Sequence, residues 1–135
     1  MKPTKELINQ IKNRKKGDMD FLKEQAFKEV QIQYYLADLL REKGVSRGEF
    51  IREMNLERSY GYQILNGNRK PSREILIRTA LLLDLDLEKT QRLLKIGKRE
   101  ILYPRVKKDA LVIYAIEKEL SLREYLELLE EYGNE

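Results

Sequence analysis

Apolar residues recur along most of this chain at intervals of three and four, the spacing of one helical face, and the strict alternation of a half-buried strand is missing. Leu7, Ile8 and Ile11 predict a first helix over 4–15, stopping at Gly17 after a run of basic residues. Phe21, Leu22, Ala26, Phe27 and Val30 predict a second, beginning at Asp18 or Asp20. Tyr35, Leu36, Leu39 and Leu40 form the next stripe, with Gly44 as its stop. Ser46 followed by Glu49 has the form of a capping box and predicts a helix over 47–54, with Phe50, Ile51 and Met54 inward and Asn55 at its end. Another helix starts near Arg58 and reaches Leu65, before Asn66-Gly67, residues that tolerate positive φ. Pro71 and Ser72 precede a helix over 73–83, whose Ile75, Leu76, Ala80 and Leu83 are core candidates. Further helices are expected over 87–96, 107–118 and 122–132, the last capped by Ser121 with Glu124.

The chain of 135 residues is long enough to bury a core without a metal or a disulfide. It contains neither Cys nor His, so thiolate nucleophiles, thiolate or imidazole zinc sites and histidine acid–base chemistry have no residues to work with. Carboxylates at helical spacing, such as Glu53 with Glu57 or Glu127 with Glu131, read as solvated faces, and no Gly-rich phosphate loop is present. No enzyme activity and no cofactor are expected. No run of about 18 apolar residues and no secretory signal occur, so the expectation is a cytoplasmic protein without a membrane partner.

Lys and Arg number 27 against 23 Asp and Glu, and the placement of that excess is informative. Residues 1–16 carry Lys2, Lys5, Lys12, Arg14, Lys15 and Lys16 against Glu6, whereas seven glutamates fall within 116–135. Between these ends, residues 41–78 hold nine basic side chains and five acidic ones. One pattern occurs twice: "EKGVSRGEF" at 42–50 and "EKELSLREY" at 117–125 both join a helix end, a capping box and a new helix.

Two short helices joined by a tight turn, 47–54 and 58–65, with small polar and cationic residues opening the second, have the form of a helix-turn-helix unit. In order and spacing, residues 35–96 resemble the phage-repressor-type (XRE, Cro-like) helix-turn-helix family. The resemblance is carried by the apolar helix before "GVS", by "VSRGEFIREMNLERSYGYQILNGNRKPS", and by "ILIRTALLLDLDLEKTQRLL". It implies an all-α fold with a five-helix core over 31–97 and leaves both ends unexplained; their charge and apolar pattern predict a basic N-terminal helical extension over 1–30 and an acidic C-terminal helical hairpin over 98–135 packed on the core.

What the resemblance implies for function is binding of double-stranded DNA by a homodimeric transcriptional regulator. By position, Arg58, Ser59, Tyr62 and Gln63 would face the bases, Ser46 and Arg47 would touch a phosphate, and Asn66, Asn68, Arg69 and Lys70 would brace the neighbouring backbone. The chemistry suits those roles. Arg pairs with guanine O6 and N7, Gln with adenine N6 and N7, and cations on phosphate add affinity that falls with salt. Gln63 also suits solvent, and Arg69-Lys70 a solubilising turn.

Two positions depart from the family pattern. Gly61 stands where a branched aliphatic residue is usual, inside a helix where glycine costs about 1 kcal/mol relative to alanine. The missing side chain would admit another helix, or a large side chain such as Phe50 or Tyr35, or let the backbone come near a ligand. Leu40 and Leu65 occupy positions that often hold an ion pair, so an apolar contact is expected instead. Tyr60 is expected half-buried over the core and Tyr62 outward.

The hairpin has more apolar residues than one stripe requires. Core packing alone, or core packing plus a homodimer contact, would account for them. The basic N-terminal helix suits a solvated helix end or a nucleic-acid arm. The competing function is a protein-interaction module that holds a partner through Tyr60, Tyr62 and the acidic hairpin.

Overall fold

The computed structural model describes residues 4–13, 15–17 and 30–133. All regular elements among them are helices, as the apolar spacing predicts. The chain divides into two compact units, Met1–Val30 and Gln31–Glu135.

In the first unit, α1 (Thr4–Lys12) ends three residues earlier than expected. The amide of Asn13 makes the last helical hydrogen bond, to the Asn9 carbonyl, and asparagine is a poor helix-former that competes for its own backbone. Ile8 and Ile11 are exposed on this helix. The expected helix beginning at Asp18 or Asp20, with Phe21, Leu22, Ala26 and Phe27, lies outside the described residues, as does Arg14 of the basic cluster.

The second unit comprises α2 (Ile32–Lys43), α3 (Arg47–Glu53), α4 (Arg58–Leu65), α5 (Arg73–Leu82), α6 (Leu87–Ile96), α7 (Lys107–Glu117) and α8 (Leu122–Tyr132). Side chains of Ser46, Glu57, Ser72, Asp86 and Ser121 accept hydrogen bonds from first-turn amides that have no partner within their helices. The box at Ser121 and Glu124 is reciprocal. At Ser46 only half of the expected box forms: its hydroxyl accepts from the Glu49 amide and donates to the Glu49 carboxylate, so that carboxylate does not reach the cap amide. Gly44 stops α2 in the left-handed region, while Asn55, Asp84, Lys98 and Glu119 adopt the same conformation after α3, α5, α6 and α7.

One continuous core runs from α2 to α8 and includes fully buried Leu36, Phe50, Ile64, Leu76, Leu93 and Leu94. Helix α5 is its hub, packing against α6, α7 and α8, while α2 packs on α4 and α6, and α3 on α4. Val112, Ala115, Ile116, Leu122 and Tyr125 of the hairpin belong to this core, and Ile113, Leu120, Leu126 and Leu129 pack half-buried against it. Burial within the unit thus absorbs most of the hairpin's apolar surplus.

A polar clamp fastens the hairpin. The Arg73 guanidinium donates to both carboxylate oxygens of buried Asp109 at 3.0 Å, and also to the carbonyls of Glu100 and Ile101. The Tyr103 amide donates to Asp109 as well. Burial pushes the Asp109 carboxyl up, but the hydrogen bonds from Arg73 and Tyr103 outweigh it and hold the group below its ordinary value. Gln91 pairs reciprocally with the Leu102 backbone, and Arg99 donates to the Pro71 carbonyl. None of these side chains stood out in the sequence as structural ties.

Candidate nucleic-acid interface

The turn between α3 and α4 is closed by the Leu56 amide on the Ile51 carbonyl, with Met54 buried and Leu56 half-buried beneath it. Helix α4 then presents two faces. Gly61, Ile64 and Leu65 are buried, while Arg58 and Ser59 are exposed and Tyr62 and Gln63 half-buried on the other side. Residues three and four apart share a helix face, which is why these four side chains, selected separately by position, lie together.

Gly61 is a packing position, and its neighbour is neither Phe50 nor Tyr35. A Cβ at Gly61 would lie 2.6 Å from Cγ1 of Ile51, with Cδ1 and Cγ2 at 3.0 and 3.1 Å. Helix α3 thus rests on α4 through the space that a side chain would fill, and Ile51 is itself buried.

That close approach brings the start of α3 over the outer face of α4. The Arg47 guanidinium lies 6.0 Å from the Tyr62 ring centroid and that of Arg58 5.9 Å, so one ring is shared by cations from two helices. Arg47 also donates to the side-chain oxygen of Asn66 at 2.7 Å. Tyr62 is therefore half-buried beside two guanidinium groups, where an outward-pointing side chain was expected. Tyr60 lies half-buried against the core as expected, with Arg69 at 5.6 Å from its ring. Asn68, Arg69 and Lys70 are exposed in the turn after α4, where the amides of Asn68 and Arg69 both donate to the Gln63 carbonyl. Ser46 is exposed but spends its hydroxyl proton on Glu49.

The sequence reading took Glu57 for part of a solvated face and missed its cap role. Glu57 caps α4, its two carboxylate oxygens accepting from the amides of Ser59 at 3.0 Å and Tyr60 at 2.8 Å. Glutamate is not among the preferred cap residues, so only its place immediately before Arg58 signalled the role. Those backbone bonds, from Tyr60 first and Ser59 second, hold its carboxyl below the ordinary value. A depressed folded-state value stabilises the helix above the unfolded-state value, near 4.5, and that contribution is lost as pH falls through the folded-state value. Glu57→Gln is accordingly expected to speed hydrogen exchange at the amides of Ser59 and Tyr60 at neutral pH, with the difference from the parent chain vanishing in acid. Equal exchange at neutral pH would show that the cap contributes nothing. The carboxylate also offsets the unfavourable placement of the Arg58 cation at a positive helix end.

Leu40 and Leu65 are both buried and line a common groove of about 260 Å³ with Ala37, Val45, Arg41 and Arg47, beside the guanidinium pair. Among the described residues no cluster of His, Cys, Asp or Glu is arranged to hold a metal ion, and no helix is long and apolar enough to cross a membrane. Comparison with protein-family models, curated proteins and solved structures finds no match to this chain, so the geometry of α3, α4 and the following turn has to carry the functional reading.

Proposed function

We propose that this chain is a sequence-specific DNA-binding transcriptional regulator that reads the major groove with α4. The observation that carries this reading is the Arg47–Tyr62–Arg58 stack, with Arg47 tied to Asn66. Holding two guanidinium groups against one ring reduces the rotamer entropy that binding must remove, and it leaves the Arg58 fork and the remaining N–H groups of Arg47 available to acceptors. Arg58 and Gln63 read base edges, Ser59 and Tyr62 complete that face, and Arg47, Asn68, Arg69 and Lys70 take phosphates.

The regulator acts as a homodimer on a two-fold site, and exposed apolar side chains of the hairpin, among them Tyr103, Val106 and Tyr114, are the surface for self-association. A protein-interaction module built on Tyr60 and Tyr62 is less well supported, because both rings are half-buried with cations against them.

Selection from a random duplex pool is expected to yield a two-fold consensus. Arg58→Ala and Gln63→Ala are each expected to relax preference at a defined base pair, by about 1–3 kcal/mol of discrimination. Arg69→Ala should weaken all duplexes alike and lower the salt slope by about one unit. No enrichment at low salt, or unchanged salt titrations in all three variants, would overturn the assignment of α4.

A further inference from the structure

A second concavity lies away from α4. It is an open cleft of about 610 Å³ between the end of α5 and the α7–α8 turn, reaching Glu53 at the end of α3. Its apolar lining is Leu81, Leu82, Leu120, Leu122 and Leu126; Leu81 and Leu122 are buried, and the other three are half-exposed into it. Three half-exposed leucines in one concave surface form a seat for apolar side chains from another molecule.

The rim specifies their charge. Glu53, Asp84, Glu119 and Glu124 line it, and the one lining cation, Arg123, lies 3.6 Å from Glu127 on its own helix. Glu124 is partly engaged with its cap, whereas Glu53, Asp84 and Glu119 have no ion pair or side-chain hydrogen bond among the described residues. Asp84 and Glu119 stand at φ of 54° and 53°, a left-handed conformation that glycine and aspartate adopt more easily than glutamate. An apolar floor within an uncompensated acidic rim fits an occupant with the inverse pattern, a leucine-type stripe flanked by lysine or arginine.

We propose that this cleft binds a cationic amphipathic helix of a partner protein. Helix anchors one turn apart meet Leu82, Leu120 and Leu126, and their flanking cations meet Glu53, Asp84 and Glu119. Arg47 and Glu53 are at opposite ends of α3, roughly 10 Å apart along its axis, so the cleft is separate from the guanidinium stack and stands or falls independently of DNA binding.

The test uses the full chain and a fluorescent synthetic helix of leucine and lysine segregated onto opposite faces, with a scrambled peptide of the same composition and a leucine–glutamate peptide as controls. Binding by anisotropy is expected for the segregated cationic peptide alone. The combination of Glu53→Gln, Asp84→Gly and Glu119→Gly should weaken it about tenfold or more and flatten its salt dependence. Glycine suits the left-handed backbone at both substituted positions, so this variant tests charge without straining the fold. Leu120→Ala should weaken binding at constant charge, and Glu130→Gln with Glu131→Gln, exposed carboxylates outside the cleft, should leave it within about twofold. Equal loss in the two charge variants, equal binding of the scrambled peptide, or self-association abolished by the cleft variants in place of peptide binding would each overturn the proposal.

Discussion

Arg73→Ala is expected to destabilise the Gln31–Glu135 unit by about 3 kcal/mol, the scale for breaking a buried ion pair from one side. The cost is unequal between the partners. The Asp109 side chain is 6% exposed and Arg73 33%, so removing arginine strands a carboxylate that cannot reach water, whereas Asp109→Asn leaves a guanidinium that can. Asp109→Asn should therefore cost visibly less, and the double variant less than the sum of the two. The pH dependence identifies the mechanism. In the parent chain Asp109 is held below its ordinary value, so its contribution is present at neutral pH and lost as pH falls through that depressed value. In Arg73→Ala burial remains while the guanidinium is gone, so the carboxyl is pushed up, and the deficit is largest at neutral pH and shrinks in acid. Urea unfolding of the four chains at neutral and acidic pH measures this. Equal losses for Arg73→Ala and Asp109→Asn, or a deficit independent of pH, would show that the clamp acts through packing alone.

Gly61→Val is expected to cost about 3 kcal/mol, against the direction of helix propensity. Alanine at this position would regain about 1 kcal/mol of intrinsic helicity, yet its Cβ would meet Ile51 Cγ1 at 2.6 Å. Cγ1 is an inner atom of a buried side chain, so relief requires α3 to move, and overpacking of this kind costs about 1–3 kcal/mol. Gly61→Ala is thus close to neutral or destabilising, and the branched Val is worse. Combining Gly61→Ala with Ile51→Ala removes the obstruction, so the pair should be less unstable than the sum of the single changes. Because the same contact sets Arg47 over Tyr62, Gly61→Ala should also weaken duplex binding in conditions where the chain remains folded. A stabilised Gly61→Ala with unchanged binding would mean that α3 accommodates the methyl freely.

Much of the helical framework was legible in the order of residues. The breaks at Gly44, Asn55 and Asn66-Gly67, the helix starts at Ser46, Ser72 and Ser121, and inward Leu36, Phe50, Ile51 and Leu76 all follow from interactions within a few residues, which chain order records directly. The clustering of Arg58, Ser59, Tyr62 and Gln63 on one face follows from the same periodicity. Glu57 was missed because its cap role uses an uncommon residue type, and half of the Ser46 box failed because Glu49 turns to the hydroxyl.

Tertiary packing decided the rest. Arg73 and Asp109 are 36 residues apart, Arg47 and Asn66 19 apart, and no local pattern couples either pair. A period of 3.6 residues tells which face of α4 is buried but not which neighbour covers it, so the need for space at Gly61 could be read while its cause, Ile51, could not. Tyr62 was assigned outward from its own helix, where Arg58 is one turn away, and only the crossing of α3 over α4 adds the second guanidinium group, that of Arg47. The acidic leucine cleft is likewise assembled from three separate segments, the end of α3, the end of α5 and the α7–α8 turn, which are far apart in sequence until the core at α5 brings them together.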